Sequence, residues 1–343
     1  MEKFDFGVYI GRFEPFHVAH LASVNFALEQ CETLIVVIGS CNKPRTTKNP
    51  WTAAERGAMI LDSLTYEQQQ RIKFVLANDH LYNDNVWVTS VQRQVSEITT
   101  GGTEHASPTI ALFGHEKDDS SFYLRIFPQW KFIETDEIKG VKGATEIREL
   151  YFRGDAEFRG YLPNAVIHFL VKFRETPEFE KLKEEFHFIE SYKEAWRGAP
   201  FPPMFVTVDA VVFKSGHVLV VKRKGNPGKG LFALPGGFLN QKETIRAGAI
   251  RELREETGIK VPNAQLSSAI VDSHVFDHPG RSLRGRTITH AFAIDLGTGE
   301  LPRVRGSDDA EKAWWMPLNE VFASESSFFE DHFHIITHFA QKF

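Results

Sequence analysis

The 343-residue chain predicts two domains, a parallel α/β sheet followed by an α+β fold. Three observations carry this. The length is about two domains' worth at roughly 150 residues each. The first half alternates short apolar runs with segments of helical spacing, the pattern of a parallel sheet. The second half begins after a long charged helical stretch and a Pro/Gly breaker cluster, and then reads as hairpin, helix and further strands.

The elements follow in order. Residues 6–10 are an apolar run ending in Gly11, which predicts a buried strand, and residues 21–28 have helical spacing. Residues 34–38 form a second apolar run, ending in Gly39. Thr52 with Glu55 three residues on is a capping-box pattern that opens a helix, where Glu55 and Arg56 could form an ion pair. Residues 74–76 and 109–113 read as further strands. The charged stretch 175–197 is helical in pattern, and Gly198, Pro200, Pro202 and Pro203 break it. These boundaries divide the chain into a first domain over 1–175, a helical linker over 176–203 and a second domain over 204–343. Within the last, residues 205–213 and 217–221 flank a Lys-Ser-Gly turn, a hairpin pattern. A helix is expected from about Thr244 to Thr257.

Composition excludes several classes. With 42% apolar and 13% aromatic residues the chain can bury a core, which argues against disorder. A net charge of −5 does not fit a nucleic-acid footprint, so no nucleic-acid partner is expected. Neither a signal-peptide pattern nor a run of roughly 20 apolar residues occurs, so no membrane association is expected. Cys31 and Cys41 are too few for a disulfide framework, and the expected setting is the reducing cytoplasm.

The strongest motif runs over 237–259, GFLNQKETIRAGAIRELREETGI. It fits G-x5-E-x7-R-E-U-x-E-E-x-G-U, where U is aliphatic. Seven fixed identities at about 6% usage each would match by chance roughly once in 10⁶ chains of this length. Glu252 and Glu256 share a helix face, and uncompensated carboxylates at that spacing repel. A divalent cation resolves the conflict, and carboxylate oxygens suit Mg2+ or Mn2+. Gly237 can bring a backbone carbonyl close, and Arg251 can orient a glutamate. This is the Nudix box, and the second half resembles a Nudix hydrolase. The resemblance implies a metal site at Gly237, Glu252, Glu255 and Glu256, with Arg251 and Glu255 in catalytic roles. Downstream, Arg281, Arg284 and Arg286 offer guanidinium forks for a diphosphate. Asp308, Asp309 and Glu311 are candidates for the general base. His332, His334 and His338 fit an amphipathic terminal helix better than a metal site.

The first strand runs directly into Gly11-Arg12-Phe13-Glu14-Pro15-Phe16-His17-Val18-Ala19-His20. A His-x-x-His between strand and helix places two imidazoles at a helix N-terminus, where phosphate charge is stabilised. The segment resembles the HxGH nucleotidyltransferases, with Ala19 where that family has glycine. The resemblance implies a Rossmann-like fold, catalytic His17, His20 and Arg148, and substrate contacts at Gly11, Arg12, Phe13 and Thr145. The Gly143–Arg148 segment matches the family's second motif in part, with Gly143 in its serine position. Asn49-Pro50-Trp51-Thr52-Ala53-Ala54-Glu55-Arg56 and Asp84-Asn85-Val86-Trp87-Val88 are similar to the archaeal-type nicotinamide mononucleotide adenylyltransferases. There Asn85 would read the carboxamide and Trp87 stack on the pyridinium ring, with core packing as the alternative reading of Trp87.

Together the halves resemble bacterial bifunctional enzymes that join this adenylyltransferase to an ADP-ribose pyrophosphatase. The implied substrates and products are ATP, nicotinamide mononucleotide, NAD and ADP-ribose. Two further readings stay open. The Nudix half could be a non-catalytic ADP-ribose or NAD sensor, or the first half could serve another phosphorylated acceptor such as pantetheine phosphate.

Overall fold

A computed structural model describes residues 3–101, 107–116, 119–307 and 309–342. The chain divides into two compact units, Met1–Lys183 and Glu184–Phe343.

The first unit contains β1 (Phe4–Gly11), α1 (Val18–Gln30), β2 (Cys31–Ile38), α2 (Ala53–Asp62), α3 (Tyr66–Gln69), β3 (Ile72–Leu76), α4 (Asp84–Thr99), β4 (Ile110–Gly114), β5 (Lys131–Glu134), α5 (Ala144–Arg153) and α6 (Asn164–Phe173). Its five strands are all parallel, in the order β3-β2-β1-β4-β5. This is the Rossmann-like sheet, and the strand order reverses direction between the paired strands β1 and β4, the place where such sheets bind ligands at the strands' carboxyl ends. The strands are apolar because both faces are covered. Val8 and Ile10 of β1 join Val37, Leu112 and Val75 in a core closed by Val91 and Val95 of α4 and by Trp130. Thr52 and Glu55 form the capping box on α2. Glu55 and Arg56, however, do not pair with each other. Residues one apart on a helix point in different directions, so Glu55 takes Arg45 (2.7 Å) while Arg56 turns inward to Glu14 (3.3 Å). The strand β5 (KFIE) gives little apolar signal because it is short and lies at the sheet edge.

Helix α7 (Pro177–Ala195) contains the division between the units. The second unit then carries β6 (Met204–Lys214), β7 (His217–Arg223), β8 (Phe232–Ala233), β9 (Gly236–Phe238), α8 (Ile245–Thr257), α9 (Asn263–Ser268), β10 (Ile270–Phe276), β11 (Arg286–Asp295), β12 (Ala310–Pro317), α10 (Leu318–Ala323) and α11 (His332–Ala340). The expected hairpin closes with Phe213 opposite Val218 and Lys214 opposite His217. The sheet is mixed, in the order β10-β11-β6-β7-β12, with β9 added to β6 and β8 to β7. Strand β6 runs parallel to β11 and antiparallel to β7. It is buried on both faces. Ala210 and Val212 pack with Ile250 and Leu253 of α8, whereas Val211 and Phe213 pack with Ile335, Ile336 and Phe339 of α11. The terminal histidines thus lie on an amphipathic helix. No helix among the described residues is long and apolar enough to cross a membrane.

Candidate active sites

In the first unit the chain leaves β1 through a tight, buried turn. Phe13 has φ 56°, the Glu14–Pro15 peptide is cis, and Phe13 and Phe16 are buried. The turn delivers His17 to the N-cap of α1 and His20 to its first turn. The two rings stack with centroids 3.6 Å apart, and Phe16 stacks on His20 from 5.8 Å. The His17 backbone N–H donates to His20 Nδ1 at 3.3 Å. That contact uses Nδ1 as an acceptor and leaves Nε2 as the ring nitrogen that can donate to a phosphate oxygen.

Two buried arginines brace this turn; the sequence offered Arg148 as a phosphate ligand and Arg56 as a partner for Glu55. Arg148, on α5, donates to the carbonyls of Glu14 (2.6 Å) and Thr47 (3.2 Å) and to the Thr145 hydroxyl (3.1 Å). Arg56, on α2, donates to the carbonyls of Arg12 (2.6 Å) and Gly39 (2.7 Å), which follow β1 and β2. Arg56 and Glu14 form an ion pair with both side chains 1% exposed. Burial pushes the Glu14 carboxyl up to about 8, against the pull of Arg56 and the Trp51 amide. Lys48, also missed, completes the cationic surround: burial and then Arg12 lower its ammonium to about 8, and the same two causes bring Arg148 down to about 10. Cations held together in this way are suited to polyanionic phosphate chains. Cys41, just beyond β2, donates its thiol to the Ile38 carbonyl at 3.0 Å.

Asn85 is exposed in the first turn of α4. Trp87 is half-buried and packs on Tyr123 and Phe127 at centroid distances of 6.4 and 5.9 Å. Its ring position is therefore set by packing.

In the second unit, Thr244 caps α8 by accepting from the Ala247 amide at 3.3 Å, and Gly258 ends the helix at φ 58°. The Nudix-box arginine is the hub of the site. Arg251 bonds Glu243 (2.7 and 3.0 Å), Glu252 (2.8 Å) and Glu255 (2.8 Å), and reaches the Phe238 carbonyl at 3.3 Å. Its guanidinium holds Glu243 down to about 2. Glu243 is the first glutamate of the box; its role as the anchor of Arg251 was not read from the sequence. Glu256 stands apart from the hub. It is buried, accepts the Gly236 amide (3.1 Å), and is pushed up to about 8 by burial and the nearby Glu252. Burial also raises Glu252.

Whether these groups suit a cation can be judged from Gly237. A Cβ built there would lie 2.5 Å from a Glu252 carboxylate oxygen, so a side chain at this position would force Glu252 to shift, whereas glycine lets the backbone lie beside it. Raised carboxyls, hard oxygen donors and an adjacent backbone fit a divalent cation.

The three downstream arginines separate. Arg281 is not offered to a ligand: its fork is closed on Asp331 (2.7 and 2.9 Å), with side chains 2% and 0% exposed. Arg286 bonds the Asp277 carbonyl at the start of β11. Only Arg284 faces the box, lying over the Phe238 ring at 5.3 Å. Of the base candidates, Glu311 pairs with Lys222 (3.1 Å), Asp309 is exposed, and Asp308 lies outside the described residues.

Comparison with known proteins gives a matching NUDIX domain over residues 203–339 and a matching cytidylyltransferase-like domain over residues 8–95. A nicotinamide/nicotinic acid mononucleotide adenylyltransferase from Acinetobacter baylyi is 39% identical over 186 residues, which is 54% of this chain and 95% of that protein. An ADP-ribose pyrophosphatase from Methanocaldococcus jannaschii is 39% identical over 116 residues, 34% of this chain and 63% of that protein. The crystal structure of a bifunctional NMN adenylyltransferase/ADP ribose pyrophosphatase from Francisella tularensis, complexed with AMP and a manganese ion, superposes with a TM-score of 0.91 at 36% identity over 99% of both chains.

Proposed function

The chain belongs to the family of bifunctional nicotinamide mononucleotide adenylyltransferase/ADP-ribose pyrophosphatases, and on that premise we propose that it catalyses both reactions and that each unit carries one. The observation that carries this is that both motif sets are built into complete constellations in one chain, the His17/His20 turn braced by two arginines and the Arg251 hub beside Glu256.

In the first unit, a phosphate oxygen of nicotinamide mononucleotide attacks the α-phosphorus of ATP. The new P–O bond forms NAD, and pyrophosphate leaves. Position and charge do the work. His17 and His20, with the amides opening α1, donate to the α-phosphate oxygens. Arg12, Lys48, Arg148 and Thr145 receive the β- and γ-phosphates, and Gly11 and Phe13 shape the turn that admits the nucleotide. Asn85 and Trp87 contact the nicotinamide moiety.

In the second unit, water adds across the diphosphate of ADP-ribose to give AMP and ribose 5-phosphate. Glu252, Glu255, Glu256 and the Gly237 carbonyl would hold Mg2+ or Mn2+, which when bound supplies water activation and charge neutralisation. Arg251 holds Glu252 and Glu255 in register. Arg284 takes a diphosphate oxygen, while Arg281 and Arg286 shape the loop around it. Two free thiols support a cytoplasmic setting.

The test is a product assay on purified protein with Mg2+. ATP plus nicotinamide mononucleotide is expected to yield NAD, and ADP-ribose to yield AMP. Hydrolysis absent with ADP-ribose binding retained would instead make the second unit a sensor. Failure to form NAD would reject the acceptor assignment at Asn85 and Trp87.

A further inference from the structure

Arg284 is held by a segment remote in sequence from the Nudix box. Phe329, Glu330 and Asp331 immediately precede α11, and the Phe329 amide donates to the Phe232 carbonyl at 2.8 Å, which ties them to β8. The Phe329 ring lies under two guanidinium groups, Arg223 at 4.1 Å and Arg284 at 6.0 Å. Asp331 takes Arg281, and Glu330 takes Arg284 at 3.7 Å, with side chains 8% and 14% exposed. Ser282 supports the arginine as well, accepting from Arg284 Nε at 3.4 Å. Glu330 achieves this with φ 46°, a left-handed conformation unfavourable for a glutamate. Strain of this kind persists only where surrounding structure enforces it, and here it turns the carboxylate toward Arg284.

We propose that Glu330 is a positioning residue of the hydrolytic site, aiming the Arg284 guanidinium across Phe238 toward the substrate diphosphate. The inference rests on the reading of this unit as an ADP-ribose hydrolase. Glu330 acts by restricting a long, flexible side chain to one orientation before substrate arrives, so that binding does not have to order it. The Phe238 and Phe329 rings fix the plane of the guanidinium, and the carboxylate fixes its direction.

The left-handed backbone provides a discriminating variant. Asparagine is favoured in that conformation, so Glu330→Asn removes the carboxylate while easing the backbone. A purely structural role predicts unchanged function with unchanged or higher thermal stability. Positioning predicts that stability is kept, Mn2+ affinity is unchanged, and KM and the calorimetric Kd for ADP-ribose both rise about tenfold. On an Arg284→Met background the same substitution should have no further effect. Adenylyl transfer by the same chain reports that the preparation is intact. Unchanged ADP-ribose affinity, or a loss that persists without Arg284, would overturn the proposal. A wild-type chain that fails to hydrolyse ADP-ribose would overturn the functional reading instead, and calorimetry, which needs no turnover, would still decide the role of Glu330.

Discussion

His332 is a buried imidazole whose Nδ1 accepts the Leu234 amide at 2.8 Å. Burial lowers its pKa to about 3. The unfolded chain therefore binds a proton there that the folded chain refuses. Its contribution to stability is fully present above the ordinary histidine value near 6.5 and is lost as pH falls from there toward 3, by about 1.4 kcal/mol per pH unit. Replacing it by asparagine, which can still accept the Leu234 amide, should flatten the acid side of the second unit's thermal stability between pH 6 and 4. Equal slopes in the two proteins would refute this. At this scale the sequence was legible where local spacing carries the meaning. His17 and His20, and the four box residues Arg251, Glu252, Glu255 and Glu256, are read from one short stretch each. The roles of Glu14, Lys48 and Arg56 were not, because the turn after β1, the loop after β2 and the start of α2 meet only in the fold. Arg281 misled for the same reason: a basic loop in sequence becomes an internal ion pair once Asp331 is brought to it.

Among the elements, α8 was the most legible, since its cap, charge pattern and terminating Gly258 all lie within one segment. The short parallel edge strand β5 was not, because four residues with two charged ends carry no period. Nor was the parallel pairing of β6 with β11, which joins strands far apart in sequence and leaves no local trace. The contact between β9 and α8 yields a sharp expectation. Gly237→Ala would drive a methyl group into the Glu252 carboxylate, and Glu252 would move away from Arg251 and Glu256. A displacement of about 1 Å at a catalytic group can cost on the order of 10²-fold in rate. Hydrolysis of ADP-ribose should fall by at least that factor while NAD formation is kept. Near-normal hydrolysis would mean that the close approach is not needed.

At the scale of the whole molecule, each unit has its own sheet, core and site. The two activities should accordingly be separable by single substitutions. His20→Ala should lower NAD synthesis by 10²-fold or more and spare hydrolysis, and Glu256→Gln should do the reverse. Steady-state rates of both reactions on both variants test this, and a substitution that silences both would contradict it. The fold class was visible in the alternation of apolar runs before any motif was considered. One placement has a practical use. Both sulfhydryls of the chain belong to the first unit, Cys31 buried at the start of β2 and Cys41 half-exposed just past its end, against the Gly39 carbonyl that Arg56 also holds. A maleimide dye should therefore tag the native chain once, at Cys41. On the proposed reading of the first unit, the labelling rate should fall as ATP binds and stay unchanged with ADP-ribose.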